Sequence, residues 1–330
     1  MDCVDYQLVV RRDSAKVRMY NGKAYGEKKV GEEMTGFFEL AKTGTPEQLQ
    51  KEVEAGADIK AVDKNGATAL MLAAAYNQNP EVLTTLLKAG ADLNYQDVHG
   101  WTALMLAARY NPDFEAITTL LEAGADPRTE NKSGMTALQA TGWNQNPEVI
   151  TTLLKAGADI NTRSKDGGTA LMQAAANNQN PEVITTLLKA GADIKAQDQA
   201  GATALSQAAN NNQNPQVITT LLKAGADIKT QDQAGSTSLM QATGWNQNPE
   251  VITVLLKAGA DITAQNKEGR TALMYAAGNN QNPEVVTTLL KAGADAKAKD
   301  KSVKTAFDYA QRNDKLKGTD ALKQLEEVSK

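Results

Sequence analysis

Apolar positions along most of the chain fall into two alternating patterns. In 70–75, LMLAAA, every position is apolar or small, which reads as a short helix packed at close range on most of its surface. In 80–88, PEVLTTLLK, the apolar residues Val82, Leu83, Leu86 and Leu87 stand at helical spacing among polar ones. That is a second helix with one buried face. Start and stop signals frame both. Thr68 is a fair N-cap for the first helix. Asn79 can cap the second, Pro80 suits the first helical position, and Glu81 opposes the helix dipole. Gly90 marks the stop, because the residue after a C-cap favours a side chain without Cβ. Ahead of each first helix comes a turn: Asp63-Lys64-Asn65-Gly66, just before Thr68, reads as a tight one.

This pair of patterns repeats. NQNPEVITTLLKAGADI occupies 144–160 and returns letter for letter at 178–194. AGAD occurs eight times, ending at Asp58, Asp92, Asp126, Asp159, Asp193, Asp227, Asp261 and Asp295, at steps of 34 residues with one step of 33. The short step reflects a residue missing near Leu138, where LQATGW stands against LMQATGW at 239–245. One helix pair cannot bury its own apolar face, but successive pairs can bury each other, so a fixed period of this length predicts a stack. The expected fold is an all-α solenoid of nine helix pairs. Residues 36–65 form a first cap, 66–301 seven full units, and 302–330 a last cap, with Thr305-Ala306-Phe307 in place of T-A-L. Residues 1–35 lie outside the period. KVRMYNGKAYG (16–26) alternates around Asn21-Gly22, a strong hairpin signal, and LVV (8–10) is a candidate third strand. A small flap packed on the first cap is the expectation.

The motif G-x-T-A-L-M-x-A-A followed by E-V-I-T-T-L-L-K-A-G-A-D-I-x-x-x-D resembles the ankyrin repeat over roughly 36–330. The resemblance implies a curved stack whose concave face, made from turn tips and first helices, binds another protein, and it carries no catalytic residues. There are departures. Ala69, Ala103 and Ala170 stand where the family often has Pro. Met71, Met105, Met172, Met240 and Met274 stand where a turn-bracing His is usual, so methionine packing is expected to substitute for that brace. The units are also one residue longer than the common length, the extra residue falling in the N-Q-N-P link.

Composition narrows the function further. The formal net charge is −4, which speaks against a broad polyanion-binding surface. Cys3 is the only cysteine and His99 the only histidine, and the two stand far apart. No Ser-His-Asp or Cys-His set is available, and neither H-E-x-x-H, C-x-x-C nor a phosphate-loop motif occurs. The AGAD aspartates repeat at one structural position, so they read as turn acceptors rather than as catalysts or calcium ligands. No apolar run approaches the ~20 residues of a membrane helix. The expectation is a cytoplasmic monomer that is not an enzyme, takes no cofactor or metal, and binds another protein rather than nucleic acid or membrane.

Where copies of one unit disagree, selection has had room to act. The varying positions are the two after the turn Asp, the one before T-A-L, and the two closing the first helix. Aromatics are 5% of the chain, yet all three tryptophans fall on this set. Trp, Tyr and Arg dominate binding hot spots. The candidate partner-binding residues are Tyr76, His99, Trp101, Arg109, Tyr110, Met135, Trp143, Trp245 and Arg270, centred on His99, Trp101, Arg109, Tyr110 and Trp143. Set against this, Trp143 and Trp245 have a packing reading, as covers for gaps left by Gly142 and Gly244, whereas Trp101, on a turn, resists one. Gln139, Gln173, Gln207 and Gln241 form a row on the first helices that reads either as donors and acceptors for a partner's backbone or, by preference, as a solvated row. A rival function is the binding or targeting part of a larger enzyme or secreted effector.

Overall fold

The computed structural model describes residues 18–20, 23–25 and 36–330. Strands β1 (Arg18–Tyr20) and β2 (Lys23–Tyr25) pair antiparallel on either side of Asn21-Gly22, with Arg18 opposite Tyr25 and Tyr20 opposite Lys23. The hairpin expected from the sequence is therefore present. Residues 8–10, and the packing of a flap on the first cap, lie outside the described residues.

From residue 36 on, helices come in pairs, here called inner and outer. A helix through 36–43 and the helix Pro46–Glu54 open the stack. The inner helices of units 1 to 7 are Ala69–Tyr76, Ala103–Tyr110, Ala137–Ala140, Ala170–Asn177, Ala204–Asn211, Ser238–Trp245 and Ala272–Asn279. Their outer partners are Pro80–Lys88, Phe114–Glu122, Glu148–Lys155, Pro181–Lys189, Pro215–Lys223, Pro249–Lys257 and Pro283–Lys291. Ala306–Ala310 and Asp320–Ser329 close the stack. Each inner helix packs on the next inner helix, and each outer helix on the next outer one. A single continuous core of Leu, Ile, Val, Met and Ala runs between the two layers from Phe37 to Leu325.

Local chemistry explains the elements. Thr68 Oγ1 accepts the Met71 N–H at 3.3 Å, and the same cap recurs at Thr102, Thr169, Thr237 and Thr271. Asn79 Oδ1 accepts the Glu81 N–H at 2.9 Å just ahead of Pro80. All eight AGAD aspartates accept the backbone N–H two residues on, as turn acceptors do. In the finger turns, Asp63 Oδ1 takes two N–H groups, from Asn65 and Ala67, at 2.8 and 2.9 Å.

The links between helices carry the main surprise. The first Asn of each link is buried: Asn77, Asn111, Asn144, Asn178, Asn212, Asn246, Asn280 and, in the last cap, Asn313. Its amide nitrogen crosses to the preceding unit. Asn212, for example, donates to the Ala175 and Asn178 carbonyls at 2.9 and 2.7 Å, and its Oδ1 accepts the Asn214 N–H. Because each Asn bonds the carbonyl of the Asn before it, the amides form an unbroken row from Asn77 to Asn313. A second row runs beside it, in which Asn146, Asn180, Asn214, Asn248 and Asn282 donate to a carbonyl of the previous link. Finger tips add a third. The N–H of Lys132, Lys165, Gln199, Gln233, Lys267 and Lys301 each donates to the preceding finger at 2.8–3.0 Å. That approach is close enough that a Cβ on Gly100 (φ +81) would sit 2.7 Å from the Lys132 nitrogen. Buried amides without partners would be costly; paired this way they tie every unit to its neighbours.

Unit 3 is the exception. Its inner helix has four residues and then tightens into a 3-10 turn, Thr141–Trp143, which is how the chain absorbs the missing residue. The turn uses the Thr141 carbonyl for the Asn144 N–H. In a regular link the equivalent carbonyl, such as Ala209, receives the next unit's Asn amide instead. Asn178 is accordingly left with one donated bond, to Asn144.

The five methionines are buried in the core, and the finger turn is held beside them by its own acid, as at Asp63. One expectation is corrected: three of the four glutamines are bonded within the protein rather than forming a solvated row. Gln207 and Gln241 donate to the finger acids Asp198 and Asp232 at 3.1 and 2.8 Å. Gln139, 1% exposed, caps Thr136 and donates to the Gly168 carbonyl of the next finger.

Candidate functional site

Five of the nine candidate residues meet in one cluster across units 1 to 3. They rise from the ends of three inner helices and from the finger before the second. Arg109, near the end of its helix, lays its guanidinium 4.0 Å from the Trp143 ring centre, 5.1 Å from Tyr110 and 5.5 Å from Trp101. Tyr110 in turn stacks on Tyr76, with ring centres 5.8 Å apart and planes 29° apart. Tyr76 stays 42% exposed, whereas Trp101, Arg109, Tyr110 and Trp143 are half-buried. Burial, followed by the neighbouring Tyr110, pushes the Tyr76 hydroxyl above the ordinary phenol range.

The charge of Arg109 is unusually placed. Its Nε is buried with no hydrogen-bond partner among the described residues, and it takes part in none of their ion pairs. Arg128 pairs with Asp126 at 3.0 Å and Arg163 donates to the Gln197 carbonyl. The Nε of Arg270 is also buried without a hydrogen-bond partner among the described residues, but a carboxylate, Asp300, lies 3.9 Å away to balance its charge. Ring faces attract a cation but leave its N–H groups without acceptors.

The remaining candidates lie elsewhere. His99 is exposed at its finger tip, where its carbonyl accepts the Lys132 N–H. Met135 is half-buried, and its backbone closes the finger around Asn131. Trp245, 48% exposed, leans on Tyr275 with ring centres 5.7 Å apart. Arg270 lies over Tyr309 at 5.1 Å, beside Asp300.

The packing readings of the tryptophans change. No gap exists at Gly142, because a Cβ there would stand 2.8 Å from the backbone of Gln173. At Gly244 the space is taken by Tyr275, 3.3 Å away. Trp101 does pack, against the hydrophobic core and Arg109, although it sits on a turn.

Sequence reasoning missed Tyr275 and Tyr309. Both occupy the position of Gln207 and Gln241, and both reach back to the finger: Tyr275 to Asn266 and Ser236, Tyr309 to Asp300. The Tyr309 hydroxyl is the main cause holding the Asp300 carboxyl below the usual carboxylate range. Aligning the units on the finger acid exposes this substitution series. At the same position units 1 and 2 carry Leu72 and Leu106, and in unit 2 the buried Asp97 Oδ2 has no donor among the described residues. The described residues contain no group of three or more His, Cys, Asp or Glu placed to hold a metal ion, and no helix long and apolar enough to cross a membrane.

A stack of helix pairs tied by repeating backbone and amide bonds, with an aromatic and cationic cluster on its inner helices, defines a helical repeat solenoid. The family description "Ankyrin repeats (3 copies)" matches overlapping stretches at 37–131, 107–198, 135–232, 171–266, 205–300 and 239–327. The chain belongs to the ankyrin repeat family, whose members are generally modules for protein–protein interaction. No curated protein is similar enough to the chain to count as a match.

Proposed function

We propose that the chain is a non-catalytic scaffold that binds a partner protein on the concave, inner-helix face, with Tyr76, Trp101, Arg109, Tyr110 and Trp143 as the anchor. The observation that carries this reading is the half-buried, unpaired Arg109 held between three rings. A fold needs no such arrangement, and the same positions in units 4 and 5 hold Ala176, Asn177, Asn210 and Asn211. Binding energy concentrates where aromatic side chains surround an arginine. His99 and Met135 flank the anchor along the fingers, while Trp245 with Tyr275, and Arg270 with Tyr309, form a second contact region further along the stack. We read the chain as 1–35, a flap, followed by one solenoid over 36–330, acting as a monomer in the cytoplasm.

The test begins with a partner captured, identified and purified, then titrated against wild type and variants shown to be folded. A Tyr76→Ala/Trp143→Ala double variant is expected to weaken binding more than about tenfold, the loss of a hot spot. Unchanged affinity in that variant, with loss in Trp245→Ala instead, would move the anchor to the second region.

A further inference from the structure

The varying face has a charge opposite to that of the chain. Its positions carry six cations, Lys64, Arg109, Lys132, Lys165, Lys267 and Arg270, against two acids, Asp166 and Glu268, although the chain as a whole stands at −4. The finger acids offset this only in part: Asp97 and Asp300 are buried, Asp63, Asp198 and Asp232 are half-buried, and all five already accept backbone N–H groups. Of the two arginines on the face, Arg270 has a carboxylate beside it and Arg109 has none.

We infer that the partner supplies a carboxylate to Arg109, presented by an acidic segment with an aromatic or large apolar residue next to the acid; this rests on the anchor proposed above. The geometry favours an acid over other groups. Stacking on Trp143 at 4.0 Å, with Trp101 and Tyr110 at its sides, fixes the guanidinium plane before the partner arrives. A guanidinium held this way gains two parallel N–H···O bonds from a carboxylate with little further loss of side-chain freedom. The partly exposed rings of Tyr76 and Tyr110 then offer the adjoining apolar residue a flat seat. Lys64, Lys132 and Lys165, all exposed at neighbouring finger tips, attract further acids in the same segment. A polynucleotide is the weaker fit, because six cations spread over seven units, on an acidic protein, make a sparse match to a charge at every nucleotide.

The experiment selects binders from a random peptide display library on the full chain at physiological salt, then titrates synthetic versions of the enriched peptides. Folding of each variant is checked by its urea midpoint. Expected are peptides with Asp or Glu beside an aromatic residue, a loss of about tenfold or more in Arg109→Gln, the scale of a charge-assisted pair, and a smaller loss in Arg109→Lys. Selection on Arg109→Glu should enrich Lys and Arg instead. Peptides that bind Arg109→Gln as tightly as wild type, yet lose binding in Tyr76→Ala/Trp143→Ala, would overturn the acid and leave the anchor standing. Peptides indifferent to both variants would overturn both. A single-stranded oligonucleotide that displaces the peptides at that salt would replace the acidic segment with nucleic acid.

Discussion

The buried asparagine row predicts an uneven response to one substitution made in two places. Asn246 and Asn178 are both 0% exposed, occupy the same link position, and sit in the interior of the stack. Asn246 donates to Ala209 and Asn212 at 3.0 and 2.8 Å and accepts from Asn248 at 2.9 Å. Asn178 donates only to Asn144, at 2.7 Å, and accepts from Asn180 at 2.9 Å. At about 1 kcal/mol net per bond, Asn246→Ala should cost about 3 kcal/mol and Asn178→Ala about 2. The difference isolates the bond that the 3-10 turn of unit 3 withholds, because the side chain removed is otherwise the same. Urea unfolding followed by circular dichroism measures both, and the comparison cancels most of the error in placing a repeat array on a two-state scale. Equal costs, or a larger cost at Asn178, would refute the claim that these amides carry the bond between units. A cost below about 1 kcal/mol at both sites would show the same thing more bluntly.

Three further outcomes follow from the same structure. Gly142→Ala should destabilise by about 2 kcal/mol, since the new Cβ meets the backbone of Gln173, whereas Gly244→Ala, which meets only side-chain atoms of Tyr275 at 3.3 Å and Asn279 at 3.9 Å, should cost clearly less; parallel thermal melts decide between them. Tyr309→Phe should cost about 1.5–3 kcal/mol, because it strips a donor from a buried carboxylate. Since Asp300 titrates below its ordinary range when folded, its contribution is complete above that range and lost as the pH falls through the lowered value. Asp300→Asn should therefore flatten the decline in urea midpoint between neutral pH and about pH 3; an unchanged acid limb would count against that role.

Much of the fold was legible because its signals are local. Thr68, Asn79, Pro80 and Gly90 mark helix ends by their own chemistry, and the period states that what holds for one unit holds for the next. The buried asparagines were not legible. An Asn in a polar link reads as a solvated residue, and only the neighbouring unit, 33 to 37 residues away, buries it and supplies its acceptors. The candidate site was legible in part. Trp101, Arg109, Tyr110 and Trp143 stood out because most other copies carry small or polar residues there, but that Arg109 would lie on Trp143 of the next unit is a matter of helix spacing, not of sequence. Tyr275 and Tyr309 escaped notice because they replace a glutamine whose task, gripping the finger, was itself unread.

The uniform link bonding of units 5 to 7 bears on distance. Asn212, Asn246 and Asn280 each donate the same two bonds to the unit before, so removing unit 5, or adding a copy of it, leaves every remaining link amide with its acceptors. Stacked helices stand roughly 10 Å apart. The chain thus holds its two aromatic regions, one at Arg109 and one at Trp245, on an adjustable ruler graduated in single repeats. The gap between the two can lengthen or shorten by whole steps while the side chains at either end stay as they are.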